Sequence, residues 1–175
     1  MKNEQNPRTA AVRAFITEHL DYPLSAPEEQ WEDRAFCLAA ITLKRHALRL
    51  VKRSFWQESD FCMEAVKRSP EALEWANEEA ITAEICQTAV KQDGEAIASV
   101  PRRLLTEALI LEAVKQNGLA LYSVPRTRLT KEIVETAVLS RPAALAYVPG
   151  EWREEAKAAL NRNRETNTQG ETNEP

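Results

Sequence analysis

The chain has 175 residues, of which 43% are hydrophobic and 29% charged, and a net charge of −4. That is the balance of one soluble globular or repeat domain, and the four glycines against many Ala, Leu and Glu favour helix throughout. No run of 18 apolar residues occurs and the first ten residues, MKNEQNPRTA, are polar, which excludes a membrane span and a recognisable secretory leader and makes the cytoplasm the expected location.

In chain order, Thr9 to Leu20 reads as an amphipathic helix with Val12, Phe15, Ile16 and Leu20 on one side, an N-terminal cap within a capping region 1–35. Ser25 and Glu28 have capping-box spacing and predict a helix running through Trp31 and Phe36. From Phe36 the sequence repeats. Ala-Val returns at Ala65-Val66, Ala89-Val90, Ala113-Val114 and Ala137-Val138, 24 residues apart, and FCLAAI from Phe36 matches FCMEAV from Phe61 at a spacing of 25. Five copies over 36–150 predict an all-α solenoid of short two-helix repeats, in which each unit buries its apolar face against its neighbours.

Within a copy, Thr82, Thr106 and Thr130 share a column that reads as the N-cap of the longer helix. That helix meets Pro70, Gly94, Gly118 or Pro142, again one column, and either residue type interrupts a helix. A backbone common to both types needs a φ near proline's, so the column is expected to open a second, short helix rather than to form a left-handed cap. Val100-Pro101, Val124-Pro125 and Val148-Pro149 then end the second helix, because a residue before proline is pushed toward extended geometry. The first copy has Arg45 in the breaker column, which predicts an unbroken helix toward Lys52. After Pro149, residues 151–160 read as a C-terminal capping helix and 161–175, polar and without aliphatics, as a disordered tail.

Cys37, Cys62 and Cys86 occupy one column, filled by Ile110 and Val134 in later copies, so they read as small apolar core residues rather than as a metal or reactive trio. Charge alternates along the chain. Residues 37–56 carry five basic and no acidic groups, and 57–87 carry two and eight. The basic block Lys44, Arg45, Arg49, Lys52 and Arg53, extended in register by Lys67, Lys91 and Lys115 and by Arg102 and Arg126, is the candidate partner-binding surface. The same ladder also fits an ordinary solvated helix face whose lysine stems cover apolar surface.

No Gly-rich phosphate loop, H-E-x-x-H, G-x-S-x-G or Cys-x-x-Cys is present, so no catalytic, cofactor or metal residues are assigned. The expected function is a non-enzymatic protein-binding repeat module of adaptor, inhibitor or effector type, with another protein as partner and no membrane. Nucleic-acid binding through the basic ladder is the weaker alternative, given the acidic balance and the lack of an interleaved aromatic platform. An enzyme with a dispersed site is weaker still.

The stretch AVKQNGLALYSVPRTRL closely resembles the bacterial repeat family catalogued as domain of unknown function 4116, whose units carry Ala-Val, Gly, Ala-Leu and Val-Pro columns at about this period. The resemblance is strong over Glu84 to Pro149, fair over Asp60 to Ala83 and weak before Asp60, with Pro70 and Pro142 standing for the family's glycine. It implies a helical repeat array and no activity, so it brings no active-site residues.

Overall fold

In a computed structural model, residues 26–170 and Ala14 are described, with side chains as far as 165. All regular structure among them is helical. The six α-helices are α1 (Arg34–Leu43), α2 (Ser59–Arg68), α3 (Ala83–Gln92), α4 (Glu107–Gln116), α5 (Lys131–Ser140) and α6 (Arg153–Gly170), joined by short 3-10 segments. Apart from Ala14, the expected capping helix from Thr9 to Leu20 lies outside the described residues, as do Ser25 and residues 171–175.

The helix starts are where the caps put them. Thr82, Thr106 and Thr130 accept a hydrogen bond at Oγ1 from the amides of Ile85, Leu109 and Ile133 at 3.3, 3.3 and 3.4 Å, satisfying one otherwise unpaired first-turn donor each. Near the N-terminal end the structure departs from the sequence reading. Glu28–Glu32 is a separate 3-10 turn and Asp33 opens α1, its Oδ1 accepting from Ala35 and Phe36. A carboxylate two or three residues before free amides is a better cap than a distant Ser-Glu pair.

Each ten-residue helix ends in the same way. Lys44, Ser69, Asp93, Asn117 and Arg141 are extended, with φ between −143 and −149°, and each amide donates back to the alanine four residues earlier. A 3-10 segment begins at the next residue: Arg45–Leu50, Pro70–Glu74, Gly94–Ser99, Gly118–Ser123 and Pro142–Tyr147. The breaker column is thus the first residue of a second, tighter helix, and no glycine has a positive φ among the described residues. The expectation that Arg45 lets the first helix run on is corrected: α1 stops at Leu43. Extended geometry at the preceding residue makes the break, and neither proline nor glycine is required for it.

What glycine does require is visible from its neighbours. A Cβ on Gly94 would lie 2.4 Å from the carbonyl oxygen of Ala113, and one on Gly118 would lie 2.2 Å from that of Ala137. Both glycines are buried against the following copy's helix, whereas Pro142 is exposed and Pro70 half-buried. Glycine stands where the column is closed over, proline where it is open. Asp93 and Asn117 precede the glycines and cap the 3-10 segments, accepting from the amides of Glu95 and Leu119 at 2.9 and 3.0 Å. Gln116 completes the junction, accepting from the Gly94 amide (2.7 Å) and donating to the Gln92 carbonyl (3.0 Å).

The chain divides into two compact units, 1–88 and 89–175. In the first, α1 packs on α2, and Arg34 reaches from α1 to Glu58 and Asp60 at 2.8 and 3.2 Å while lying 5.3 Å from the Phe61 ring centre. Trp31 meets Phe36, and Trp56 meets Phe61, edge to face at 5.1 and 5.3 Å. In the second unit, α4 packs on α5 and α5 on α6, while the 3-10 segment Gly94–Ser99 packs on Gly118–Ser123 and that on Pro142–Tyr147. The four Ala-Val pairs are fully buried. The last helix continues past Leu160 to Gly170, anchored by buried Ala156 and Ala159 and by Arg162 on Glu135 at 3.1 Å.

The three cysteines are buried core residues. The Cys37 and Cys62 thiols donate to the carbonyls of Trp31 and Trp56, at 3.3 and 3.4 Å. Burial, reinforced by the charge of Asp33, pushes the Cys37 thiol up to about 12, and burial pushes Cys62 up to about 11, from an ordinary value of 9.0.

Two outcomes follow. Gly118→Ala forces the Ala137 carbonyl to move and lowers the free energy of unfolding by about 1–3 kcal/mol, whereas Gly150→Ala, with nothing within 4 Å of its added methyl, leaves it unchanged or slightly raised; urea titrations of both variants check this. Because the folded state keeps its thiol protons where the unfolded state loses them, the thiols' contribution to stability is level below about pH 8 and falls from about pH 9 upward. Cys37→Val combined with Cys62→Val makes that alkaline decline shallower in the same titration.

Candidate functional site

Three of the ten basic residues read from the sequence are tied to carboxylates. Arg45 pairs with Glu71, Lys52 with Glu32, and Lys67 with Glu64 at 3.3 Å. The Lys52 ammonium, bonded to Glu32, holds that carboxyl below its usual range and is itself raised. Glu64 is lowered chiefly by its bond to Arg68, then by Lys67. Lys67, Lys91 and Lys115 all occupy the last turn of their helices, where a cation meets the negative end of the helix dipole. Lys44, Arg49, Arg53, Lys91, Lys115, Arg102 and Arg126 are exposed and carry no ion pair among the described residues.

Of these ten, Arg126 alone lines the groove formed at the C-terminal end of the second unit. The groove has a volume of about 350 Å³. Its floor is aliphatic, from Leu121, Val124, Leu129 and Val148, and its rim carries Tyr122, Tyr147, Arg126 and Arg153. The local fold places each of them. Tyr122 and Tyr147 come from the neighbouring 3-10 segments Gly118–Ser123 and Pro142–Tyr147, Arg126 opens the short 3-10 turn Arg126–Arg128, and Arg153 is the first residue of α6.

The tyrosine rings meet at 5.2 Å with an interplanar angle of 65°, yet Tyr122 is 76% exposed and Tyr147 45%. An aromatic pair that satisfies its edge-to-face preference while remaining in water is an unusual use of large apolar area, since such rings ordinarily contribute by burial. The Arg153 guanidinium is held beside them by donating Nη2 to the Val148 carbonyl at 3.3 Å. No carboxylate lines the groove.

Tyr122, Tyr147, Arg153 and Leu129 were not legible as a site from the repeat columns. Tyr122 aligns with Ala146, and Tyr147 aligns with Ser123, so the two rings stand one column apart and look unrelated in register. The signal that could have found them is the departure from the copies between and beside them, which have Ala98 and Ala146 in the Tyr122 column and Ser99 and Ser123 in the Tyr147 column; the copy from Phe61 has Glu74 and Trp75 there.

Other chemistry is sparse. Among the described residues, no group of three His, Cys, Asp or Glu side chains could hold a metal ion, and no helix is long and apolar enough to cross a membrane.

No curated protein and no solved structure matches the chain. Residues 106–153, which contain α4, α5 and every residue lining the groove, match the family described as a domain of unknown function (DUF4116).

Proposed function

We propose that this chain is a non-enzymatic protein-binding module in which the two-helix units stack as a solenoid and dock a partner at the groove between Tyr122, Tyr147, Arg126 and Arg153. The solenoid reading is supported by helices of equal length starting at Ser59, Ala83, Glu107 and Lys131, each 24 residues after the last, and by the packing of like element on like element within the second unit. Units that bury their apolar faces only against neighbours present a long, side-chain-rich surface and little enclosed volume, the usual setting for recognition rather than catalysis.

The observation that carries the docking reading is the exposed tyrosine pair flanked by two arginines. Tyr and Arg are the residue types that dominate binding energy at protein interfaces, because each offers large contact area or several fixed donors at small entropic cost. The basic ladder supports it less: three of its ten members are tied to carboxylates, and the lysines in the last helical turns answer the helix dipole.

A photo-crosslinking amino acid placed at position 122, and separately at position 91, checks the site in cells that make the protein. Discrete protein adducts are expected from position 122 and not from position 91. Adducts from 91 alone would move the surface to the ladder, and adducts from neither would remove the docking reading.

A further inference from the structure

Resting on that docking reading, we infer that the partner presents an acidic extended segment, in which an Asp or Glu lies beside a bulky apolar side chain.

Charge points to this. The groove rim has two guanidinium groups and no carboxylate among its lining residues. Elsewhere in the described residues the basic side chains are repeatedly answered from nearby: Arg34 by Glu58 and Asp60, Arg45 by Glu71, Lys52 by Glu32, Lys67 and Arg68 by Glu64, and Lys157 by Glu154. Arg126 has no such partner among the described residues. Arg153 spends one nitrogen on the Val148 carbonyl, which fixes the plane of the guanidinium and leaves further donors for an acceptor from outside. It also opens α6, where a cation faces the positive end of the helix dipole. The Val148 hydrogen bond and the neighbouring Glu154, whose carboxyl is lowered chiefly by its bond to Lys157 and further by the Arg153 charge, answer that placement in part, and an incoming anion adds to them.

Shape and apolar chemistry complete the class. A volume of about 350 Å³ is at the small end of ligand-sized sites, enough for a few residues of a chain and too little for a folded surface. The exposed faces of Tyr122 and Tyr147, with half-buried Leu129 beside them, take an apolar side chain; Leu121, Val124 and Val148 beneath are themselves buried. The carboxylate beside it reaches a guanidinium, the pairing whose geometry favours two parallel hydrogen bonds. A nucleic acid would need a continuous line of unanswered cations along its backbone. Here the approach from α6 is interrupted by Glu151, Glu154 and Glu155, so a peptide is the better fit.

The test is a displayed library of random dodecapeptides selected on the full chain, with recovered peptides measured by fluorescence anisotropy. The recovered sequences are expected to share an Asp or Glu near a large apolar residue. Changing that Asp or Glu to its amide weakens binding by about tenfold or more, as do Arg126→Glu and Tyr122→Ala in the protein, while Lys91→Glu leaves it unchanged. Arg153→Gln, a milder change at the start of α6, weakens binding with an unaltered helical circular dichroism spectrum. Peptides that depend on Tyr122 but are indifferent to Arg126→Glu and to amidation overturn the acidic assignment and leave the docking site standing. Recovery of no sequence, together with no photoadduct from position 122, removes both. A fluorescein-labelled oligo-dT that binds the chain and is lost in Arg126→Glu overturns the peptide assignment in favour of nucleic acid.

Discussion

In the second unit a glycine lies directly against the backbone of the helix that follows it. The Ala113 and Ala137 carbonyl oxygens lie where Gly94 and Gly118 would carry a Cβ, at 2.4 and 2.2 Å. Nothing larger than hydrogen fits there without moving backbone. Ala113 and Ala137 are themselves fully buried, so the contact has a small residue on each side. The residue before each glycine is extended and returns its amide to the preceding alanine column, the same helix end that Lys44, Ser69 and Arg141 make without a glycine. At the Gly94 contact sits Gln116, whose side-chain amide bridges the Gly94 amide and the Gln92 carbonyl. The bridge satisfies groups that the helix end and the tight packing would otherwise leave unpaired.

Seen from this contact, the repeat columns carry different amounts of information. The Thr N-caps and the buried Ala-Val pairs were legible because each answers a demand made by one residue on its own backbone or on a flat apolar face. The opening of the 3-10 segments at the Gly/Pro column was legible for the same reason, since only a negative φ serves both residue types. Arg45 misled because a residue's tolerance for helix says little about a helix end enforced by its predecessor; Lys44 is as extended as Asp93. Asp33 was hidden by a better-known spacing upstream. The second helix was read as one or two turns of unspecified kind; it is 3-10 over six or fewer residues after an extended residue, both where Val-Pro follows and where, after Leu50 and Glu74, no proline does.

The candidate site was not legible, and the cause lies in the nature of repeats. Columns that recur report what every unit needs for stacking, whereas a binding surface is made where one unit differs from the rest. Tyr122 and Tyr147 stand in adjacent columns, one in each of two consecutive copies, where the nearest copies have Ala98, Ala146, Ser99 and Ser123. Stacking of the 3-10 segments converts that one-column offset into a 5.2 Å ring contact. The Phe36 and Phe61 column, which makes the Trp31–Phe36 and Trp56–Phe61 edge contacts, is filled by buried Ile85, Leu109 and Ile133 in later copies. Those buried rings contribute by burial, whereas the tyrosine pair stays in water.

Charge follows the same division. Pairs such as Arg34 with Glu58 and Asp60, or Arg45 with Glu71, join residues 24 to 26 apart, one repeat onward, so their cations serve the contact between successive copies. Exposed pairs of this kind add little stability; within the positive block of residues 37–56 they tie Arg45 and Lys52, while Lys44, Arg49 and Arg53 carry no ion pair among the described residues. The lysines at the ends of α2, α3 and α4 answer the helix dipole in turn. Arg126 and Arg153 are distinguished from the other cations less by their charge than by their setting beside exposed aromatic rings. In a chain of net charge −4, whose overall field repels anions, the proposed recognition of an acidic segment would have to be short-ranged. It would depend on donors already held in place, as the Val148 carbonyl holds Arg153, and on apolar contact made in the same step.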